Sequence, residues 1–172
     1  MKKEIGDLFQ GETKYHRGKL PGGPVLWDSR PKLYKHYPSA PIVKLERMEK
    51  EADMPLSEAI KNRRSIRNFQ DKPLKKSHLS RLLWATQGIT ERELGYELRG
   101  VPSAGALYPV ETYLVIHNVE NIDPGVYHYA VQNHEIEQLR TGDFRVEITR
   151  SALDQDMAYA ANVVFIWTAI FQ

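Results

Sequence analysis

Apolar positions in this chain are grouped by two spacings, and the spacings divide it into helical and extended parts. Leu56, Ala59, Ile60 and Arg63 fall on one face of a helix opened by Pro55-Leu56-Ser57. Arg63 and Arg64 close that helix, where cations suit its dipole. Beyond Ser65 the chain is expected to extend through Ile66, Arg67, Asn68 and Phe69, and Asp71-Lys72-Pro73 reads as a turn. Ser77 is placed to cap a second helix, from His78 to near Gln87, with Leu79, Leu82, Leu83 and Thr86 on one side and Gly88 as its stop. Residues 91–100 are polar and read as a surface loop. From Val110 the composition turns to β-branched and aromatic residues. A strand is expected over Val110–Asn118, a turn at Asn121–Gly125, and a hairpin of Val126–Val131 with Glu135–Leu139 joined through Gln132-Asn133-His134. Phe144 to Ala161 reads as helical with a break near Leu153-Asp154, and Asn162–Ala169 is apolar enough for a central strand.

The first third has neither spacing. Residues 1–20 are polar, with Ile5, Leu8 and Phe9 leaving room for one short helix. Residues 21–45 carry Pro21-Gly22-Gly23-Pro24, Pro31, Pro38 and Pro41 together with Trp27, Tyr34 and Tyr37. Aromatic residues at that density favour an extended arm anchored on another surface over a flexible linker. The expected organisation is therefore an arm over residues 1–54 and a folded domain over 55–172.

Composition narrows the chemistry. A length of 172 residues with 41% hydrophobic content suits one domain with a core. A net charge of +2 gives no case for nucleic acid. The absence of cysteine excludes disulfides, thiolate metal sites and a cysteine nucleophile. The six histidines (His16, His36, His78, His117, His128 and His134) show no helical ligand spacing, so no metal site is expected. No apolar run follows Met1-Lys2-Lys3-Glu4, and the longest, Val163 to Phe171, is about half a membrane span. A cytoplasmic protein without membrane contact is the expectation.

Two stretches carry candidate chemistry. Arg63-Arg64-Ser65-Ile66-Arg67 places three guanidinium groups and a hydroxyl within five residues, a set that suits phosphate oxygens and equally suits a solvated basic turn. Pro102-Ser103-Ala104-Gly105-Ala106-Leu107-Tyr108-Pro109 is short-sided and nearly uncharged. Its prolines fix the backbone, Gly105 can turn left-handed, and Ser103 can cap a short helix beginning near Ala104. Such a backbone lets a flat ligand lie against its amides. Together the two stretches outline a site for a nucleotide-like cofactor.

The segment Leu56–Phe69 resembles the opening motif of the nitroreductase-like flavoproteins, and Pro102–Pro109 resembles the proline-serine motif of the same superfamily. The form Gly105-Ala106-Leu107-Tyr108-Pro109 is similar to its SagB-type dehydrogenase branch, which includes azoline oxidases, and Lys14–Leu20 is similar to that branch's N-terminal leader. The resemblance implies an α+β, nitroreductase-like fold with a central antiparallel or mixed sheet flanked by helices. It implies an FMN-dependent oxidoreductase that transfers hydride through flavin N5, with NAD(P)H as a candidate electron donor and a small molecule or a peptide as substrate. By that resemblance Arg63, Arg64, Ser65 and Arg67 hold the phosphate and ribityl chain. Pro102, Ser103, Ala104, Gly105 and Ala106 approach the isoalloxazine ring from the partner subunit of a homodimer. Gln155 is a weak flavin contact or a solvent-facing helix residue. Tyr108 packs near the ring edge or anchors the loop in the core, the second being favoured.

Members of the branch usually continue well beyond the strand ending near Phe171, with a Lys-Tyr pair, a Gly-rich helix start and a basic residue that contribute to the site. The expectation is a C-terminally truncated chain with an incomplete fold. Two readings stay open: a flavin oxidoreductase, or a non-catalytic remnant acting as a dimerising or partner-binding domain.

Overall fold

A computed structural model describes residues 4–19, 31–46, 54–92 and 97–170. The chain divides between Arg30 and Pro31 into two units. The first contributes one helix, α1 (Ile5–Thr13), whose first turn is closed by the Asp7 carboxylate accepting from the Glu4 amide at 3.3 Å. Trp27 and the Pro21–Pro24 cluster lie outside the described residues.

The second unit is built on a five-stranded antiparallel sheet. Its strands are β1 (Ile42–Lys44), β4 (Val110–Ile116), β5 (Gly125–Ala130), β6 (Glu135–Thr141) and β7 (Val163–Ala169), in the order β1-β6-β5-β4-β7. The arm expected over residues 1–54 is thus split: its Pro31–Glu46 part packs with this unit and supplies the edge strand β1. The helices are α2 (Leu56–Asn62), α3 (Lys76–Gln87), α4 (Arg145–Ser151) and α5 (Asp156–Ala160). A short ribbon of β2 (Ile89–Glu91) and β3 (Leu98–Arg99) stands apart from the main sheet.

Strand periodicity sends alternate residues to opposite faces. One face of the sheet presents Leu114 and Ile116 from β4, Tyr127 and Tyr129 from β5, and Ile136 from β6. They pack with Leu79 and Leu83 of α3, and all seven are at most 1% exposed. Burying each such side chain contributes about 1.5–3 kcal/mol. The segment before α3 is pinned to the sheet's far end, where Leu74 exchanges backbone bonds with Asn118 and Glu120 at 3.1 and 2.9 Å.

Four expectations need correction. The second helix starts at Lys76 with Lys75 as its cap, so Ser77 lies inside the first turn and caps nothing. Its buried face is Leu79, Ser80, Leu83 and Gln87, while Leu82 faces solvent, because the sheet meets the helix about one residue round from the apolar stripe. Residues 91–100 are not simply a surface loop, since Leu98–Arg99 pairs with Ile89–Glu91 and Arg99 is buried. Finally, among the described residues β7 pairs with β4 and stands last in the sheet order, with Trp167 61% exposed.

At two further points pattern and structure coincide. The break expected near Leu153-Asp154 separates α4 from α5, both residues taking left-handed backbone with φ of 56° and 58°. Gly88 follows α3, and a Cβ there would lie 2.5 Å from both the ring and the carbonyl oxygen of Trp84. No helix among the described residues is long and apolar enough to cross a membrane.

Gly125 opens β5 where a Cβ would sit 2.2 Å from the carbonyl oxygen of Arg140 on β6. That neighbour is backbone in a paired strand, so relief requires the hairpin to part. Gly125→Ala is expected to lower unfolding free energy by about 2 kcal/mol or more, read by urea denaturation. A change below about 0.5 kcal/mol would show that the β5–β6 pairing yields freely.

Candidate functional site

The segment Pro102–Pro109 folds as a tight turn leading into β4. A 3₁₀ turn spans Ala104–Ala106, with Ala106 N donating to Ser103 O at 3.1 Å. Gly105 takes the expected left-handed conformation (φ 63°), and Ala106 and Tyr108 join it at φ 53° and 44°. Left-handed backbone is sterically costly for residues with a Cβ, by about 1–3 kcal/mol each. Ser103 precedes the turn, but its hydroxyl does not cap it. Instead Ser103 Oγ accepts from the Tyr108 amide at 2.8 Å, because the left-handed turn brings that N–H back across the loop. Pro102, Ala104 and Gly105 are exposed, while Ser103 and Ala106 are half-buried. Tyr108 is buried, as favoured from the sequence.

The basic segment lies just past α2. Arg63 leaves the helix with extended backbone, and Arg63, Arg64, Ser65, Ile66 and Arg67 are all exposed. Arg64 Nη1 donates to the carbonyls of Lys61 and Arg63 at 3.0 and 2.8 Å, and Arg63 Nη1 reaches Ser65 Oγ at 3.4 Å. Among the described residues no carboxylate pairs with Arg63, Arg64 or Arg67. Gln155 is the exposed cap residue of α5. No hydrogen bond or ion pair among the described residues joins the basic segment, the Pro102–Pro109 turn and Gln155 within one chain.

Three polar clusters went unrecognised in the sequence. The first surrounds Arg99, which sits just before the turn. Its guanidinium stacks 4.5 Å from the Tyr108 ring and 5.4 Å from that of Tyr34, and its amide donates to the Tyr108 hydroxyl at 3.0 Å. Tyr34 donates in turn to Glu97, and burial, then that carboxylate, pushes its hydroxyl up to about 12.

The second cluster lies on the sheet face opposite the apolar core. His128 is 1% exposed, and its two ring nitrogens contact carboxylates: Nδ1 to Glu137 at 2.8 Å and Nε2 to Glu111 at 2.9 Å. The arm covers this face. The Tyr37 ring packs on His128 at 5.2 Å, Tyr37 and Tyr113 hydroxyls meet at 2.9 Å, and Lys35 Nζ donates to Tyr113 at 2.7 Å. Those hydrogen bonds to Tyr113 and Tyr37 raise the Lys35 ammonium further, while burial raises the Tyr113 hydroxyl. Period-two spacing of Glu111 and Tyr113 was a usable signal; the placing of His128 and Glu137 beside them required the strand register.

The third cluster is Ser80, His134 and Tyr129. His134 contacts Ser80 Oγ at 2.8 Å and the Tyr129 hydroxyl at 2.7 Å. Ser80 Oγ already donates to the Glu46 carbonyl at 2.5 Å, so its proton is committed and this serine is not an activated nucleophile.

With this geometry in place, comparison with known proteins settles the family: residues 60–172, well over half the chain, match the Nitroreductase family. This chain belongs to the nitroreductase family. A protein of Methanocaldococcus jannaschii named as a nitroreductase is 33% identical over 120 residues, covering 70% of this chain and 59% of that protein. The trifolitoxin operon protein TfxC of Rhizobium leguminosarum bv. trifolii is 27% identical over 121 residues, covering 63% of this chain and 34% of its own length. A solved structure from Anabaena variabilis, described as a nitroreductase, superimposes with a TM-score of 0.70 at 23% identity, over 98% of this chain and 32% of that one. The fold is therefore the α+β nitroreductase fold. The chain spans a little over half of the first relative and about a third of the other two. Nitroreductase-family proteins are oxidoreductases that generally bind FMN and are commonly dimers.

Burial lowers the pKa of His117 and of His134, against the partial opposition of hydrogen bonds to the backbone at Ala161 and Glu46. Arg145 adds to the depression at His117 and Asp143 opposes it. Above the ordinary value of 6.5 both rings are neutral whether folded or not, and stability is complete. Below it the unfolded chain takes up protons that the folded chain resists, and stability is lost towards the depressed folded values. The melting temperature is expected to fall between about pH 7 and pH 5, and His117→Asn to remove part of that fall. A pH-independent melting temperature over this window would contradict the assignment.

Proposed function

We propose that this chain forms the flavin-binding part of an FMN-dependent oxidoreductase of the SagB dehydrogenase type, with each site shared between two copies. The carrying observation is the Arg63–Arg67 segment: three exposed guanidinium groups, none neutralised by a carboxylate among the described residues, inside the stretch that matches the family. A free cationic cluster beside a hydroxyl fits a dianionic phosphate, each charged hydrogen bond contributing about 1.5–3 kcal/mol. The Pro102–Ala106 turn fits the ring. Its side chains are small, its exposed backbone is rigid, and a Cβ at Gly105 would face no atom nearer than 3.7 Å.

In this reading Arg63, Arg64, Ser65 and Arg67 bind the phosphate and ribityl chain. Pro102, Ser103, Ala104, Gly105 and Ala106 of the second copy lie against the isoalloxazine, and Gln155 makes a peripheral contact. FMN, when bound, supplies two-electron redox chemistry at N5. The chain's residues bind it, orient it and limit water on the ring face. NAD(P)H is the proposed electron donor. Similarity to a trifolitoxin operon protein supports the SagB-type branch, with a small molecule or a peptide as substrate.

Sharing between copies is supported by the lack, among the described residues, of a hydrogen bond or ion pair joining the two stretches within one chain, and by exposed apolar surface. Leu56 and Ile60 on α2 are 76% and 68% exposed, alongside Trp167 on β7. The same surface suits the second reading, a dimerising or partner-binding domain without turnover.

Arg63→Ala with Arg67→Ala is expected to weaken FMN binding at least about a hundredfold while leaving the melting temperature within about 2 °C, read by flavin fluorescence titration. Riboflavin, which keeps the ribityl chain but lacks the phosphate, should lose far less affinity than FMN in the variant. Unchanged FMN affinity would make the segment a solvated basic turn. Wild-type chain that binds neither flavin would favour the non-catalytic reading.

A further inference from the structure

Arg99 is a cation in an unusual setting. It is 8% exposed, and among the described residues no carboxylate pairs with it. Neighbouring Glu97 is taken by Arg92 and by the Tyr34 hydroxyl. Arg99 Nη1 donates to Gln87 Oε1 at 3.0 Å and Nη2 to the Leu33 carbonyl at 3.3 Å, while the buried Nε has no acceptor. An apolar side chain would fill this space without the cost of desolvating a charge. What the guanidinium adds is attraction to two aromatic faces, Tyr34 on one element and Tyr108 on another.

Tyr108 is where that attraction acts on the turn. The guanidinium lies 4.5 Å from its ring centroid, the Arg99 amide holds its hydroxyl, and Ser103 Oγ holds its own amide. Restraint at ring, hydroxyl and backbone keeps Tyr108 at φ 44° and, through it, keeps Ala104–Ala106 in the turn. We infer that Arg99 is a positioning residue: by clamping Tyr108 against the arm and α3 it sets the backbone that faces the flavin ring. The part of this concerning flavin rests on the function proposed above; the part concerning the backbone does not.

The two parts have separate readouts. Hydrogen–deuterium exchange of flavin-free protein is followed for peptides covering 101–109 in wild type, Arg99→Lys and Arg99→Met. Loss of the stacked planar group is expected to speed exchange in 101–109 about five- to tenfold, more in Met than in Lys, while β4, β5 and β6 keep wild-type rates. Rates within about twofold of wild type in 101–109 would overturn the inference and leave Arg99 as packing between arm and helix. Should neither Arg99 variant fold, Tyr34→Leu, which takes the arm's ring away from the guanidinium and leaves the turn's own residues in place, decides by the same readout.

Titration with FMN and with riboflavin forms the second part. Because the turn is assigned to the ring, Arg99→Lys should raise both dissociation constants by the same factor, about five- to tenfold. The Arg63/Arg67 double variant should instead weaken FMN binding far more than riboflavin binding. Faster exchange with unchanged flavin affinities would overturn the flavin role. If wild type binds neither flavin, the function proposed above fails, and the exchange measurement still decides whether Arg99 holds the turn.

Discussion

Three left-handed residues within four positions, Gly105, Ala106 and Tyr108, cannot hold that conformation by their own preferences. Only glycine takes it without steric cost, so Ala106 and Tyr108 need outside restraint. Burial of the Tyr108 ring, its hydrogen bonds through Arg99 and Ser103, and the paired strand that begins immediately after Pro109 supply it. The end of the turn is held by β4, which pairs with β7 from Val110 onward and with β5 from Tyr113. The turn's N-terminal end is fixed by the β2–β3 ribbon, where Gly100 N donates to Gly88 O at 3.0 Å behind α3. A small-sided backbone is thereby held open on a rigid frame, which is what close approach by a flat ring requires.

The sheet's two faces divide the labour. One carries the apolar core and α3. The other carries His128 between Glu111 and Glu137, a buried hydrogen-bonded row that the arm meets through Tyr37 and through Lys35 on Tyr113 of β4. Removing one partner of such a row leaves a buried polar group without its hydrogen bond, which is costly. The row also gives the arm a fixed contact, since the Tyr37 ring packs on His128. That position matters to the turn, since Leu33 and Tyr34 of the same arm contact Arg99.

Much of this was legible in the chain itself. Both helices before Gly88, the β5–β6 hairpin and the broken helix after Phe144 follow from spacing and from Gly, Pro and Asp punctuation. The family was legible from two short motifs, and the match over residues 60–172 bears it out. What escaped is what depends on partners distant in sequence. Ser77 and Ser103 are both residues that favour capping, yet one lies inside a helix and the other serves the Tyr108 amide, because local preference says nothing of where a strained loop will place a donor. Leu98–Arg99 is too short to show a period. Asn162–Ala169 is apolar on both faces, as a central strand would be, and only the pairing shows that β4 is its partner among the described strands. The placing of His128 with Glu111 and Glu137 needed the registers Tyr113↔His128 and His128↔Glu137, which composition does not encode.

The central claim is that residues of two copies of this chain together hold FMN. Sedimentation velocity of the FMN-saturated protein, recorded in the flavin absorption band near about 450 nm, tests it most directly. The account predicts that flavin absorbance moves with a species of twice the chain's mass and in a ratio of one flavin per chain. Flavin travelling with a species of single-chain mass, or a dimer travelling without flavin, would contradict it.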